Sequence, residues 1–127
     1  MCIFKVKGNE FIFGAFTTAT WDCTGKYKSD SNAFLFSLIN KDNKPCKIKI
    51  DANEHQYAIY CGPQYGPVFG GGNDIDIVSN ANTTDCTSNL GRTYKHPQYA
   101  YGTNEAQSFL AGSQTFQLSE IEVYQKE

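Results

Sequence analysis

The 127 residues are enough for one domain of ordinary size, and we expect a single domain over residues 1–127. An apolar fraction of 40% and a charged fraction of 19% are typical of a globular protein and exclude a disordered chain. The net charge is −2, and no basic stripe is present, so we expect no nucleic acid partner. The longest apolar run, residues 33–39, is too short to span a bilayer.

The aromatic content favours strands over helices. Aromatic residues make up 14% of the chain, led by nine Phe and eight Tyr. Such side chains pack well on pleated surfaces, whereas helical proteins prefer Leu and Ala. About nine short strand patterns follow one another at regular spacing. We therefore predict a mainly β protein, a two-sheet antiparallel β-sandwich with one or two short helices.

The first predicted elements form a hairpin. Residues 4–7 and 10–16 are typical of two strands joined by a turn at residues 8–9. Both faces of residues 10–16 are apolar, which predicts a central strand covered on each side. Residues 21–32 are polar and are predicted to be a loop, from which Trp21 folds back on the core.

The later elements are further strands and one helix. Residues 104–111 are predicted to form a two-turn helix, because Ala106, Phe109 and Leu110 are spaced for one face. Strands are predicted at residues 33–40, 46–50, 57–61, 73–78, 91–94, 115–118 and 120–124.

The cysteines are scattered and show no Cys-x-x-Cys spacing. An odd number cannot pair completely within one chain. We predict reduced, mostly buried thiols, with a disulfide framework as the alternative. The five positions are Cys2, Cys23, Cys46, Cys61 and Cys86.

The glycine run at residues 70–72 invites comparison with a phosphate-binding loop. Such a loop needs backbone N–H groups at the start of a helix and usually a Lys. Here no Gly-Lys-Ser/Thr follows, and residues 73–78 alternate like a strand. We predict that these glycines allow a sharp turn or a close approach of two β layers.

Asp74 and Asp76 are two positions apart in that predicted strand, so both carboxylates should leave the same face. A hard cation is the functional alternative, but calcium needs six or more oxygens, and no EF-hand spacing is present. We predict a solvated strand face. The same interpretation applies to Asp51 and Glu54 near His55, and we expect no metal site and no cofactor.

Nucleophilic chemistry has little support in the sequence. His55 and His96 are far apart and belong to no zinc spacing, and no Gly-x-Ser-x-Gly motif occurs. A Cys–His pair that meets only in space stays open as an alternative. We predict no catalytic residues and no enzymatic activity.

Residues 94–104 form the most suggestive loop. Three tyrosines stand there among hydrogen-bonding groups, a mixture favoured at recognition surfaces. Two alternatives remain open: rings that only cover the sheet edge, and a carbohydrate-binding, lectin-like module that uses Tyr99 and Tyr101. The candidate binding residues are His96, Gln98, Tyr99, Tyr101 and Asn104. Residues 62–73 are a second candidate contact loop.

Three blocks of sequence resemble the TLDc domain family. The first has Phe-Gly-Ala-Phe at residues 13–16, then Trp21 and the apolar strand at residues 33–38. The second, residues 66–75, is similar to the family's Gly-Pro-x-Phe-Gly-Gly-Gly-x-Asp-Ile. The third, residues 116–124, resembles its closing strand. The order and spacing of the three blocks agree over nearly the whole chain.

The resemblance implies a β-sandwich flanked by short helices, a role in oxidation resistance, and, as in some members, binding to the vacuolar ATPase. It transfers no catalytic residues. Family domains usually begin with a further, often helical segment that this sequence lacks, and a partner surface could include it. We therefore expect a cytoplasmic adaptor that binds a protein partner, with self-association left open. A thiol-based antioxidant activity is the enzymatic rival.

Overall fold

The computed structural model describes residues 1–21, 25–61, 67–78 and 80–124. Within these residues twelve strands form two six-stranded antiparallel sheets, and one short helix, α1, covers Asn104–Ser108. The predicted two-sheet sandwich is confirmed. The strands are β1 Cys2–Val6, β2 Ile12–Phe16, β3 Lys26–Lys28, β4 Phe34–Ile39, β5 Cys46–Ile50, β6 Ile59–Cys61, β7 Val68–Phe69, β8 Ile75–Asp76, β9 Cys86–Ser88, β10 Tyr94–Lys95, β11 Thr115–Phe116 and β12 Leu118–Val123.

Each sheet has a simple strand order. The first sheet runs β10-β5-β4-β2-β1-β12, and the second runs β11-β9-β8-β7-β6-β3. The predicted hairpin is confirmed as β1–β2, with Phe4 opposite Phe13. As predicted, β2 is central, since β1 and β4 flank it. It approaches its neighbours closely, because a Cβ on Gly14 would lie 2.3 Å from the Cys2 carbonyl oxygen.

Aromatic rings join the two sheets in the core. Phe13 of the first sheet meets Phe116 of the second edge to face, with ring centroids 5.6 Å apart. Phe4 lies 5.2 Å from Phe13, and both rings are fully buried. Aromatic pairs in these geometries stabilise a core beyond their buried area alone.

The last two strands connect the sheets covalently. Phe116 at the end of β11 pairs with Cys86 in the second sheet, and Leu118 at the start of β12 pairs with Val6 in the first. Gln117 alone separates these two strands. The chain therefore crosses from one layer to the other within a single residue.

Several local predictions need correction. The predicted loop at residues 21–32 contains the short strand β3. Two of its three residues are lysines, so it shows no hydrophobic pattern in the sequence. The helix ends at Ser108, earlier than predicted, although Phe109 and Leu110 are buried as expected. Trp21 packs edge to face on buried Phe69 at 5.4 Å but remains 36% exposed, so it covers the core only in part.

The prediction of reduced cysteines is wrong at one position, because Cys61 is disulfide-bonded. Pairing depends on distance in space, which sequence spacing does not reveal. Cys2, Cys46 and Cys86 are free thiols, as predicted. Cys23 lies outside the described residues.

No helix among residues 1–21, 25–61, 67–78 and 80–124 is long and apolar enough to cross a membrane.

Candidate functional site

The loop after β10 folds against the turn between β4 and β5 at the edge of the first sheet. β10 pairs with β5 there, which brings residues 96–99 close to residues 42–46. The two segments and Phe109 enclose an open groove of about 380 Å³. The groove includes three candidate residues of the predicted binding loop, so it is the candidate site.

Backbone hydrogen bonds fix the His96 ring at the centre of this groove. Its Nδ1 accepts the N–H of Gln98 at 2.9 Å and the N–H of Tyr99 at 3.1 Å. A neutral imidazole with Nδ1 as acceptor carries its proton on Nε2. Burial lowers the pKa of His96, although the nearby Asp42 carboxylate opposes this shift. The ring is therefore held as a neutral Nε2–H tautomer at pH 7.

Two aromatic rings pack against this histidine, and we call the three residues the ring cluster: His96, Tyr99 and Phe109. Tyr99 stacks on His96 with centroids 4.5 Å apart, and Phe109 meets His96 edge to face at 4.3 Å. The Tyr99 hydroxyl donates to an Asp42 carboxylate oxygen at 3.1 Å, and Lys41 Nζ lies 5.0 Å from the centre of the Tyr99 ring. The cluster is therefore held in place by contacts from two separate loops.

Cys46 forms one wall of the groove, and its Sγ lies 4.0 Å from His96 Nε2. The sequence alternative of a Cys–His pair is thus realised in space. Burial raises the pKa of the Cys46 thiol, and Asp42 adds to this effect. Because Nε2 already carries a proton, the imidazole cannot accept the thiol proton at that atom. In this tautomer, Nε2 of His96 faces the Cys46 thiol as a hydrogen-bond donor.

The structure brings together three of the five candidate residues. His96, Gln98 and Tyr99 line the groove. Tyr101 and Asn104 do not: Tyr101 is 52% exposed, and the Asn104 carbonyl accepts the Ser108 hydroxyl in the first turn of α1.

Sequence reasoning missed Asp42, Cys46 and Phe109 as parts of this site. Asp42 on the β4–β5 turn and Cys46 at the start of β5 are far from the loop in sequence, whereas Phe109 follows α1 directly after the loop. The only available signal was the apolar spacing that placed Phe109 on the buried face of the helix.

The prediction of a solvated face at Asp74 is wrong, because this side chain is fully buried. Its carboxylate accepts the backbone N–H groups of Gly91 at 3.2 Å, Thr93 at 3.0 Å and Tyr94 at 2.9 Å. Burial raises the pKa of Asp74 to about 6, although these hydrogen bonds oppose the shift. Asp74 therefore ties the 91–94 segment to the glycine turn.

The glycine turn itself makes room for this carboxylate. Gly70 has φ +93°, and a Cβ there would lie 2.1 Å from Asp74 Oδ1. A Cβ on Gly72 would lie 2.6 Å from Cδ of Arg92. The chain continues from Asn73 into β8, not into a helix. The interpretation of these glycines as turn and close-approach residues is confirmed.

The other acidic residues considered as candidates, Asp51, Glu54 and Asp76, are at least partly exposed. Asp51 lies 3.9 Å from Lys95 Nζ, and Glu54 lies 3.9 Å from Arg92 Nε. Asp76 is partly buried on the outer face of the second sheet. Across the described ranges, no three His, Cys, Asp or Glu side chains are grouped to hold a metal ion.

Comparison with protein families identifies the family of this chain. The family model for the TLDc domain matches residues 1–127. No curated protein matches the chain. The family match covers all three of the motif blocks identified in the sequence.

Proposed function

The chain belongs to the TLDc domain family, and on that premise we propose that it is a non-enzymatic protein-interaction domain that acts in oxidation resistance by binding subunits of the vacuolar ATPase. Residues 96–99 and the β4–β5 turn form the contact surface.

The ring cluster is the observation that carries this proposal. His96 and Tyr99 are stacked and hydrogen-bonded in place before any partner arrives. A partner then gains contact area without losing the entropy of ordering these side chains. Aromatic groups with polar edges are enriched at interfaces. Asp42 and Lys44 add charges of both signs at the rim, which favours recognition of a protein over a uniformly charged polymer.

The state of Cys46 supports the non-enzymatic part of the proposal. Its raised pKa disfavours the thiolate, which is the reactive form in thiol catalysis. His96 cannot act as its base at Nε2, since Nδ1 is the acceptor in the folded loop. If the protein were a thiol peroxidase that uses Cys46, it would consume peroxide and Cys46→Ser would abolish this activity. We expect the Cys46→Ser variant and wild type to consume peroxide at the same rate.

A cytoplasmic location is part of the proposal, because binding to the proton pump from within the cell requires it. The disulfide at Cys61 opposes this part, since disulfides are rare in the cytosol. Imaging a tagged chain in its own cells tests location separately: we expect a cytosolic signal, and accumulation in the medium or a secretory compartment would contradict it.

The main test is affinity purification of the tagged full chain from its own cells, with quantitative mass spectrometry. We expect pump subunits to be enriched with wild type and reduced about tenfold with Tyr99→Ala, which removes a ring of the cluster. Tyr124→Ala is the matched control, because Tyr124 directly follows β12 and is 51% exposed. It should recover as much as wild type.

Two results would contradict the proposal. One is the absence of pump subunits above an untagged control. The other is that only glycoproteins are recovered and that free sugar releases them from the bait. That result would indicate the lectin-like alternative. Circular dichroism of Tyr99→Ala confirms that a loss of recovery does not come from unfolding.

A further inference from the structure

Four side chains form a row across the outer face of the second sheet, and the register of the strands sets their positions. Tyr27 of β3 is opposite Tyr60 of β6, Tyr60 is opposite Val68 of β7, and Val68 is opposite Asp76 of β8. Residues directly opposite in neighbouring strands share one face. Two tyrosines, a valine and a carboxylate therefore stand side by side, away from the groove at His96.

These side chains line a small hollow. Its volume is about 210 Å³, and Asn73 completes the wall. The Tyr27 and Tyr60 rings are 5.1 Å apart and tilted by 55°. Sites for drug-sized ligands hold about 300–1,000 Å³, so this hollow matches a single side chain better than a free small molecule.

Asp76 is the unusual member of the row. Its Oδ1 is buried and has no hydrogen-bond partner among the described residues. Burial raises the pKa of this carboxyl group. A buried acceptor without a donor costs free energy that a cation from outside the chain would recover. The residue is only partly buried and lines the hollow, so a visiting cation can approach the carboxylate.

We propose that this hollow binds an arginine side chain of a partner protein, with the guanidinium stacked on the tyrosine rings and hydrogen-bonded to the Asp76 carboxylate. The negative charge of the carboxylate is shared by its two oxygens. A cation that binds from the hollow therefore also stabilises the charge on the buried Oδ1.

The chemistry favours arginine over lysine. A guanidinium is planar, stacks on aromatic faces and is weakly hydrated, whereas an ammonium group is a strongly hydrated point charge. Cation–π attraction from Tyr27 and Tyr60 adds to the ion pair. The net charge of −2 also favours a basic partner.

The test is an NMR titration of the full chain with N-acetyl-L-arginine methylamide at constant ionic strength. We expect saturable shifts of the Val68 methyl groups and the Tyr27 ring protons, with a dissociation constant in the millimolar range. Asp76→Asn and Tyr27→Ala should each weaken binding about tenfold. Glu10→Gln is the control, because it removes the same unit charge from an exposed position in the β1–β2 turn. It should bind like wild type.

Equivalent lysine and norleucine amides complete the test. We expect the lysine amide to bind at least about fivefold more weakly and the norleucine amide to cause no saturable shift. Equal shifts with arginine and lysine would overturn the assignment to arginine. Binding that is unchanged in Asp76→Asn, or no shift at Val68 up to about 100 mM, would overturn the site itself.

Discussion

Asp74 and Asp76 are two residues apart, yet their surroundings differ in one decisive respect. Asp74 is fully buried and receives three backbone N–H groups from the 91–94 segment. Asp76 has a buried oxygen with no donor among the described residues. A carboxylate that collects donors from another part of the chain organises the fold, and one without donors is available to a group from outside.

The largest expected effect is that of Asp74→Ala. Removing the carboxylate leaves three backbone N–H groups buried without an acceptor, so we expect a loss of about 3–5 kcal/mol in the free energy of unfolding. Urea denaturation followed by fluorescence measures it. The matched change Asp76→Ala should cost less than about 1 kcal/mol. Equal losses at the two positions would contradict the comparison.

The pH dependence of stability is the next largest effect. The folded pKa of Asp74 is about 6, above the usual aspartate value of about 3.9 in an unfolded chain. The folded state therefore holds this proton more tightly than the unfolded state does. The resulting stability is fully present below about pH 4 and is lost as the pH rises to about 6, by about 3 kcal/mol.

Asp74→Asn isolates this effect, because the other titrating groups are common to both proteins. We expect the stability of wild type relative to the variant to fall between pH 4 and 6.5, in urea unfolding at each pH. If the difference in the free energy of unfolding between the two proteins did not change with pH, Asp74 would have the same pKa in the folded and unfolded states.

Substitutions of two glycines separate the cost of a left-handed backbone from the cost of steric crowding. Gly70 and Gly8 both have φ +93°, but only Gly70 faces a close neighbour, Asp74 Oδ1 at 2.1 Å from a Cβ position. Gly8→Ala should cost about 1 kcal/mol, the penalty of the left-handed backbone alone. Gly70→Ala should cost about 2–4 kcal/mol, because the carboxylate must also move. Thermal unfolding compares them, and equal costs would rule out crowding at Asp74.

The smallest expected effect is that of Asp76→Asn. The change removes the charge from a carboxylate whose Oδ1 has no donor among the described residues and keeps the shape, so stability should be unchanged or rise by up to about 0.5 kcal/mol. Chemical denaturation checks this. A clear loss would mean that the carboxylate already has a partner in the folded chain, and would weaken the case for an arginine from outside.

The alternation of apolar residues predicted much of the first sheet correctly. β1, β2, β4 and β5 have clear hydrophobic patterns, and each was placed within a few residues. The second sheet was harder, because β7 and β8 have only two residues each and period-2 alternation cannot be recognised at that length. Asp74 was misplaced for this reason: β8 begins at Ile75, so the strand rule that paired Asp74 with Asp76 does not apply.

The candidate site was predictable only in part. The tyrosines and His96 could be identified because they cluster within one loop. Asp42 and Cys46 could not, because they reach the loop only through the pairing of β10 with β5. The disulfide at Cys61 was not predicted, because the spacing of cysteines in a sequence does not show which of them meet in space. Contacts between distant parts of a chain depend on sheet order, which periodicity does not contain.

The single-residue crossing at Gln117 has a consequence for how the domain opens. Only Gln117 links β11 to β12, so the two strands must stay close together. A fluctuation that detaches β12 from β1 therefore also disturbs the pairing of β11 with β9 at the edge of the second sheet. Partial unfolding of one layer alone is thereby made costly, and we expect the amide hydrogens of β1, β9 and β12 to exchange with solvent as one cooperative group.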